Sequence, residues 1–189
     1  MRVISGEYRG LHLGTLKGGN LRPTSDQMRE TLFDVLGPNV EGTTFLDAYA
    51  GSGAVGIEAL SRGAADVVFI EHHRPAQQLI RKNLDTLGIN SGYFLLRTAV
   101  TNGLERLEQE GSRFNYVFLD PPYNEIGEYH HVLRLLGRSR LIDSQSLVIA
   151  EHSRHCLLEE VYGNLRRQRV IRHGDTQLGF YRLEQPQAE

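Results

Sequence analysis

Phe45-Leu46-Asp47-Ala48-Tyr49-Ala50-Gly51-Ser52-Gly53-Ala54-Val55-Gly56 is the stretch that decides how this chain folds. Thr43-Thr44-Phe45-Leu46 reads as a buried strand, and the segment from Val55 to Arg62 as a helix stopped by Gly63, with a glycine loop between them. Gly51-Ser52-Gly53-Ala54-Val55-Gly56 fits G-x-G-x-x-G, and Glu71 closes the next apolar run, Asp66-Val67-Val68-Phe69-Ile70. Glycines allow a tight turn and a close approach of ligand to backbone, and an acid there accepts hydrogen bonds from both ribose hydroxyls. The pattern therefore predicts a nucleoside site, and by itself it does not say which nucleoside.

Asp47 narrows the choice. Its carboxylate sits at the strand end, just before the loop, and would repel a pyrophosphate by roughly 1–4 kcal/mol at 4 Å for effective dielectrics of 80 to 20. S-adenosylmethionine (SAM) has no phosphate and carries an ammonium and a sulfonium, so an acid at this point attracts it. The spacing Asp-x-x-x-Gly-x-Gly also leaves room for a methionine end. A plain tight β–α turn capped by Asp47 is the reading that needs no ligand.

Outward from this stretch, apolar strands alternate with helices. Pro75 suits the first turn of a helix, in which Ala76, Leu79, Ile80, Asn83, Leu84 and Leu87 share one face and which Gly88 ends. Tyr93-Phe94-Leu95-Leu96 predicts a third strand, residues 102–110 a short helix, Tyr116-Val117-Phe118-Leu119 a fourth strand, residues 129–136 a helix, and Ser146-Leu147-Val148-Ile149-Ala150 a fifth strand. Residues 169–172 and 177–183 flank His173-Gly174-Asp175 as a closing hairpin. Upstream, Val3-Ile4, Tyr8 and Leu11-His12-Leu13 predict short strands or a hairpin. Thr24-Ser25-Asp26-Gln27 reads as a capping box with Thr24 as cap, leading a helix that Gly37-Pro38 stops. Continuous apolar strands between helices predict a parallel sheet covered on both faces.

The chain has 189 residues, 40% hydrophobic and 23% charged, which predicts one folded domain. Its expected divisions are an extension over 1–40, an α/β core over 41–185 and a tail over 186–189. No apolar run approaches the roughly 18 residues that span a membrane, and no apolar leader opens the chain, so a cytoplasmic location is expected. One cysteine, Cys156, excludes an intrachain disulfide and a cysteine zinc cage. A net charge of −2 argues against a uniformly basic nucleic-acid coat. It leaves room for local basic faces, of which Arg166, Arg167, Arg169 and Arg172 form one.

Asp120-Pro121-Pro122-Tyr123 follows the fourth strand directly. Two prolines lock φ and remove two N–H donors, leaving the Asp120 carboxylate and the Pro121 carbonyl as fixed acceptors beside an aromatic ring. An exocyclic amine on a planar base needs such surroundings, because its lone pair is delocalised into the ring. Two acceptors hold its N–H bonds and turn the lone pair toward an electrophile, while Tyr123 stacks on the base for about 1–3 kcal/mol. The methyl then transfers in line, by positioning and electrostatics and without a covalent intermediate. In a doubly wound sheet the loops after the first and fourth strands meet at the switch point. A stiff strand-end turn is the bland alternative.

Asp47-x-x-x-Gly51-x-Gly53 followed by Asp120-Pro121-Pro122-Tyr123 resembles the class I SAM-dependent amino-methyltransferases. With Arg2-Val3-Ile4-Ser5-Gly6, Arg9-Gly10 and Arg22-Pro23-Thr24-Ser25-Asp26 running into Arg29-Glu30-Thr31-Leu32-Phe33, nearly the whole chain resembles the RsmD family of 16S rRNA (guanine-N2)-methyltransferases. The resemblance implies a Rossmann-like fold of seven mostly parallel strands with a reversed last strand in a C-terminal antiparallel hairpin, and an N-terminal β-hairpin extension. It implies methyl transfer from SAM to N2 of guanine 966 in 16S rRNA. One short domain suits an assembling small subunit, whose proteins could supply contacts this chain lacks, and a monomer without metal is expected. By position, Asp47, Ala50, Gly51, Ser52, Gly53 and Gly56 would line the methionine and ribose, Glu71 the ribose, and His72, Thr98 and Ala99 the adenine. Asp120, Pro121, Pro122 and Tyr123 would hold the guanine, and Arg22, Thr24 and Arg29 would form a lip over the donor or contact RNA phosphate. Where the family often reads Arg-Gly-Arg-Lys, this chain has Arg9-Gly10-Leu11-His12.

Other readings have less behind them. Adenine N6 in DNA or RNA, or a glutamine amide, would use similar chemistry; the glutamine version more often begins its turn with Asn. An NAD-dependent oxidoreductase is opposed by Asp47, and an RNA-binding module without catalysis by the intact turn. His72-His73, His130-His131, His152 and His155 lack a recurring ligand spacing. Cys156 is not in a Pro-Cys turn, so a pyrimidine C5 mechanism lacks its thiolate.

Overall fold

The apolar runs form strands and the amphipathic runs form helices, and a computed structural model describes residues 1–16, 25–122 and 125–184. It separates into two compact units, Met1–Val100 and Thr101–Glu189. The architecture is α/β, with a mostly parallel central sheet and antiparallel strands at its C-terminal end.

In the first unit, β1 (Thr44–Asp47), β2 (Asp66–Ile70) and β3 (Tyr93–Leu96) are parallel and lie in the order β3-β2-β1. Phe45 pairs with Val67 and Leu46 with Val68. Phe45, Leu46, Val67, Phe69 and Ile70 are fully buried, as strands covered on both faces require. α2 (Ala54–Ser61) follows β1, and α3 (Arg74–Leu87) follows β2. Pro75 lies in the first turn of α3, and Gly88, in the left-handed region at φ +72°, ends it. α1 (Asp26–Leu36) precedes β1 and leads into a 3-10 turn over Gly37–Val40.

Two expectations shift here. The cap of α1 is Ser25, whose hydroxyl accepts from the Met28 N–H at 3.1 Å. The expected cap, Thr24, lies outside the described residues. The N-terminal hairpin is a loop closed by one antiparallel bridge, Arg2 to His12, rather than a pair of strands. Further backbone bonds close the loop on itself, among them Val3 N–H to the Leu11 carbonyl at 3.0 Å, and three tie it to α2: Ile4 and Ser5 donate to the Glu58 carboxylate at 2.8 and 3.0 Å, and Tyr8 to the Ser61 hydroxyl at 3.0 Å.

In the second unit, α4 (Val100–Gln109, its first residue at the unit boundary) leads to β4 (Tyr116–Leu119), α5 (Ile126–Leu136) and β5 (Leu147–Ser153). β4 and β5 are parallel. β8 (Thr176–Leu183) runs antiparallel to β5, and β7 (Leu165–His173) antiparallel to β8. This is the reversed last strand and closing hairpin. Among the described residues an eighth, unexpected strand, β6 (Val161–Tyr162), has two residues and pairs with the start of β7.

Candidate active site

The glycine loop is held by carboxylates. Asp47, at the end of β1, is buried and accepts the Gly56 N–H of α2 through Oδ2 at 2.9 Å. Glu71, one residue past β2, accepts the Gly51 N–H through Oε2 at 2.8 Å and the His73 N–H through Oε1 at 2.7 Å. The Gly53 N–H donates to the Ala50 carbonyl at 2.6 Å, and the Ala50 N–H to the Ile70 carbonyl at 3.1 Å. Burial, opposed by the Gly56 N–H and reinforced by the charge of Glu71, raises the Asp47 carboxyl from 3.8 to about 7.

This donor pattern discriminates between ligands. In a dinucleotide fold the loop N–H groups point at a pyrophosphate. Here those of Gly51, Gly53 and Gly56 are already engaged, two of them by carboxylates. The loop therefore offers negative charge and suits a cationic ligand. A carboxylate has about four lone-pair positions, so Glu71 retains acceptor capacity for ribose hydroxyls.

Two glycines are required by geometry. Gly53 caps α2 at φ +79°, a conformation that side chains rarely adopt. A Cβ on Gly56 would lie 2.2 Å from Phe69 Cε1, so α2 rests on β2 only because Gly56 has no side chain.

Asn83 is a residue the sequence reading placed on the apolar face of α3 without assigning it a task. It is buried, and its amide donates to the Ser52 carbonyl at 2.9 Å while its Oδ1 accepts the Gly14 N–H at 2.8 Å. It therefore links the glycine loop to the N-terminal segment. The signal available was a lone amide among Ala76, Ile80, Leu84 and Leu87.

Of the residues expected near adenine, His72 is exposed with Nδ1 3.6 Å from Glu71 Oε1, Thr98 is half-buried and Ala99 exposed. Arg29 departs from expectation. It is wholly buried, its Nη2 contacting Asp26 Oδ1 at 2.6 Å and the Arg2 carbonyl at 2.8 Å, its Nη1 lying 3.7 Å from Glu58 Oε2. It ties α1, α2 and the N-terminal segment together and presents nothing to an RNA phosphate. Arg22 and Thr24 lie outside the described residues.

In the second unit β4 runs straight into Asp120, half-buried, Pro121, buried, and Pro122, exposed; Tyr123 lies outside the described residues. The turn has a support that the sequence did not reveal. The buried Tyr129 hydroxyl of α5 lies 2.7 Å from the Glu151 carbonyl at the end of β5 and 3.3 Å from the Pro121 carbonyl. Behind it, His152 stacks edge-on against Tyr129, and its Nδ1 lies 3.0 Å from both the Ser153 and Cys156 carbonyls. Those acceptors place the proton on Nδ1, and burial pushes the imidazolium down. Burial also pushes the Cys156 thiol up, away from nucleophile chemistry.

The arginines of β7 are largely committed. Arg166 pairs with Glu184, Arg167 with Glu160 and the Leu158 carbonyl, and Arg169 lies over the Phe180 ring at 4.8 Å. Among the described residues no group of three or more His, Cys, Asp or Glu is placed to hold a metal, and no helix is long and apolar enough to cross a membrane.

Solved structures place this fold in a class. The putative methyltransferase yhhF from Escherichia coli matches at a TM-score of 0.82 with 31% identity, over 97% of this chain and 98% of that one. The fold is that of the class I methyltransferases.

Sequence comparison then fixes the family. The family model described as Conserved hypothetical protein 95 matches residues 1–182. Ribosomal RNA small subunit methyltransferase D of Escherichia coli K12 is 37% identical over 100% of this chain and 91% of its own length. The putative rRNA methyltransferase YlbH of Bacillus subtilis is 35% identical over 96% and 98%. The chain belongs to this family, the RsmD family of methyltransferases.

Proposed function

We propose that this chain methylates the exocyclic N2 of a guanine in 16S rRNA, guanine 966 in the family's usage, with SAM as methyl donor. The names of the relatives support rRNA as substrate and the small subunit as its context. The observation that carries the donor is the glycine loop clasped by Asp47 and Glu71, which engages the Gly51 and Gly56 N–H groups and sets two acids where a pyrophosphate would lie.

SAM, when bound, supplies a methyl group on a cationic sulfur. Asp47, Ala50, Gly51, Ser52, Gly53 and Gly56 would hold its methionine and ribose, Glu71 the ribose hydroxyls, and His72, Thr98 and Ala99 the adenine. Asp120 and the Pro121 carbonyl would take the two N–H bonds of the guanine amine, with Tyr123 of the same motif as the expected stacking partner of the base. The Pro121 carbonyl has two lone pairs; the Tyr129 hydroxyl engages one and leaves the other for the amine. The methyl–sulfur bond would break as the N–C bond forms, its electron pair staying on the sulfur, and the Asp120 carboxylate that holds the amine would take the surplus proton. Two acceptors holding one amine would favour in-line transfer through positioning. The two units then serve as one methyltransferase domain, acting as a cytoplasmic monomer on a base that is exposed or flipped out of its stack.

The test is transfer of tritiated methyl groups to rRNA and to small subunits, followed by nucleoside mass spectrometry. N2-methylguanosine is the expected product. N6-methyladenosine would move the target to adenine, and calorimetric binding of NADH without SAM would remove the methyltransfer reading.

A further inference from the structure

Arg74, Gln77, Gln78 and Arg81 of α3, with Arg97 just past β3, line one open cleft of about 170 Å³. From this cleft we infer that the first unit carries a phosphate-binding subsite for the RNA backbone, separate from the methyl-transfer residues. This inference rests on the rRNA reading above and names where the polyanion is held.

Charge and spacing carry the argument. Arg74 and Arg81 are seven residues apart, so they share one face of α3 and stand about 10.5 Å apart along its axis. Gln77 and Gln78 fill the turn between them, and Arg97 adds a third guanidinium from the neighbouring strand end. Among the described residues no acid lines the cleft. Among the described residues none of these three arginines has an ion-pair partner, whereas Arg62, Arg106, Arg134, Arg154, Arg166 and Arg167 each face a carboxylate. Other exposed arginines among the described residues, Arg138 and Arg172 for example, also lack an ion pair, but these three line one cleft together. The chain as a whole is negative, at −2, so attraction for a polyanion has to be local.

The shape of the cleft selects the ligand. It is smaller than the roughly 300–1,000 Å³ of small-molecule pockets, but a phosphate group needs far less. The guanidinium fork matches phosphate oxygens two at a time. A donor row about 10.5 Å long suits successive phosphates of a strand, whereas one free anion meets only part of it.

The experiment compares the parent with Arg74→Gln/Arg81→Gln/Arg97→Gln, using a fluorescein-labelled 16S rRNA transcript at several salt concentrations. The slope of log affinity against log salt is expected to fall by about 2 to 3, at roughly 0.7–0.9 per phosphate contact. SAM affinity is expected to stay within twofold. Should the triple variant fold poorly, Arg81→Gln alone is expected to lower the slope by about 1. An unchanged slope, with the parent still methylating the transcript, overturns the subsite and leaves the rRNA reading standing. A parent that neither binds nor methylates the transcript overturns both. Calorimetry with inorganic phosphate separates the two phosphate sources. Phosphate binding lost in the variant, with an unchanged RNA slope, would make the cleft a free-anion site and overturn the RNA assignment.

Discussion

Replacing Asp47 with asparagine tests the electrostatics of the glycine loop. Asparagine keeps an oxygen acceptor for the Gly56 N–H, which Asp47 holds at 2.9 Å, and removes the charge. In the folded chain the Asp47 carboxyl is raised from 3.8 to about 7, first by burial, against the lowering effect of the Gly56 N–H. The sign follows from proton counting. Below about pH 4 the group is protonated in both states, and its contribution to stability is fully present. Between about 4 and 7 the unfolded chain ionises while the folded chain does not, so stability falls as pH rises, at about 1.4 kcal/mol per pH unit. Above about 7 the loss is complete and amounts to about 4 kcal/mol at most. Asparagine carries no such loss. In urea titrations of the ligand-free protein, Asp47→Asn is therefore expected to gain on the parent from pH 5 to pH 8. SAM binding should move the other way. The ionised carboxylate attracts the cationic donor, so parent affinity rises with pH through about 7 and binding releases a proton. Calorimetry in buffers of different ionisation enthalpy reads that proton, and the variant should bind more weakly with no release. A variant less stable than the parent by the same amount at pH 5 and pH 8 would refute the argument, because Asp47 would then be an ionised, stabilising cap.

Asp120→Ala is expected to leave SAM affinity unchanged in calorimetry and to lower methyl transfer by orders of magnitude; unchanged turnover would make the turn purely structural. Tyr129→Phe removes the hydroxyl shared by the Pro121 and Glu151 carbonyls, at a cost of about 1–3 kcal/mol read from urea midpoints. It should lower kcat with SAM affinity intact, and an unchanged kcat would show that the turn needs no support from α5. Gly56→Ala pushes a methyl group against Phe69 Cε1 at 2.2 Å, which should cost about 1–3 kcal/mol of stability and weaken SAM binding; an unchanged urea midpoint would count against close packing of α2. Arg29→Met leaves Glu58 buried with one fewer partner and is expected to cost about 3–5 kcal/mol, with RNA affinity at low temperature unaltered; weaker RNA binding by a folded variant would restore Arg29 to the RNA surface.

Much of the fold was legible because its signals are local. Buried parallel strands are continuous apolar runs, and Phe45-Leu46, Val67-Val68-Phe69 and Val117-Phe118-Leu119 all stand in β1, β2 and β4. The glycine loop was legible for the same reason: the turn, the cap and the packing of α2 depend on three glycines within six residues. What escaped depends on contacts between distant residues. The family resemblance sets Arg29 over the donor or on RNA phosphate, and its partner Glu58, which draws it inward, lies on another helix. The basic run on β7 looked open because Glu160 and Glu184, which neutralise it, lie outside the run. Ser25 and Thr24 carry the same chemistry, so one residue of helix register decided the cap.

The loop shows why motif and ligand are separable. G-x-G-x-x-G specifies a backbone path, and that path alone would serve a pyrophosphate or a sulfonium equally well. The ligand is decided by what the loop N–H groups do when the site is folded. Asp47 and Glu71 accept two of them, which turns an anion-binding turn into one that repels anions. The same acids stiffen the loop, since each joins two elements: Asp47 joins β1 to α2, and Glu71 joins the loop to the start of α3. Asn83 adds a third tie, from α3 to the Ser52 carbonyl. Selectivity for charge and rigidity of shape therefore come from the same hydrogen bonds, so a substitution that relaxes one relaxes the other. Asp47→Asn is informative because it is the change that keeps the bond and removes the charge.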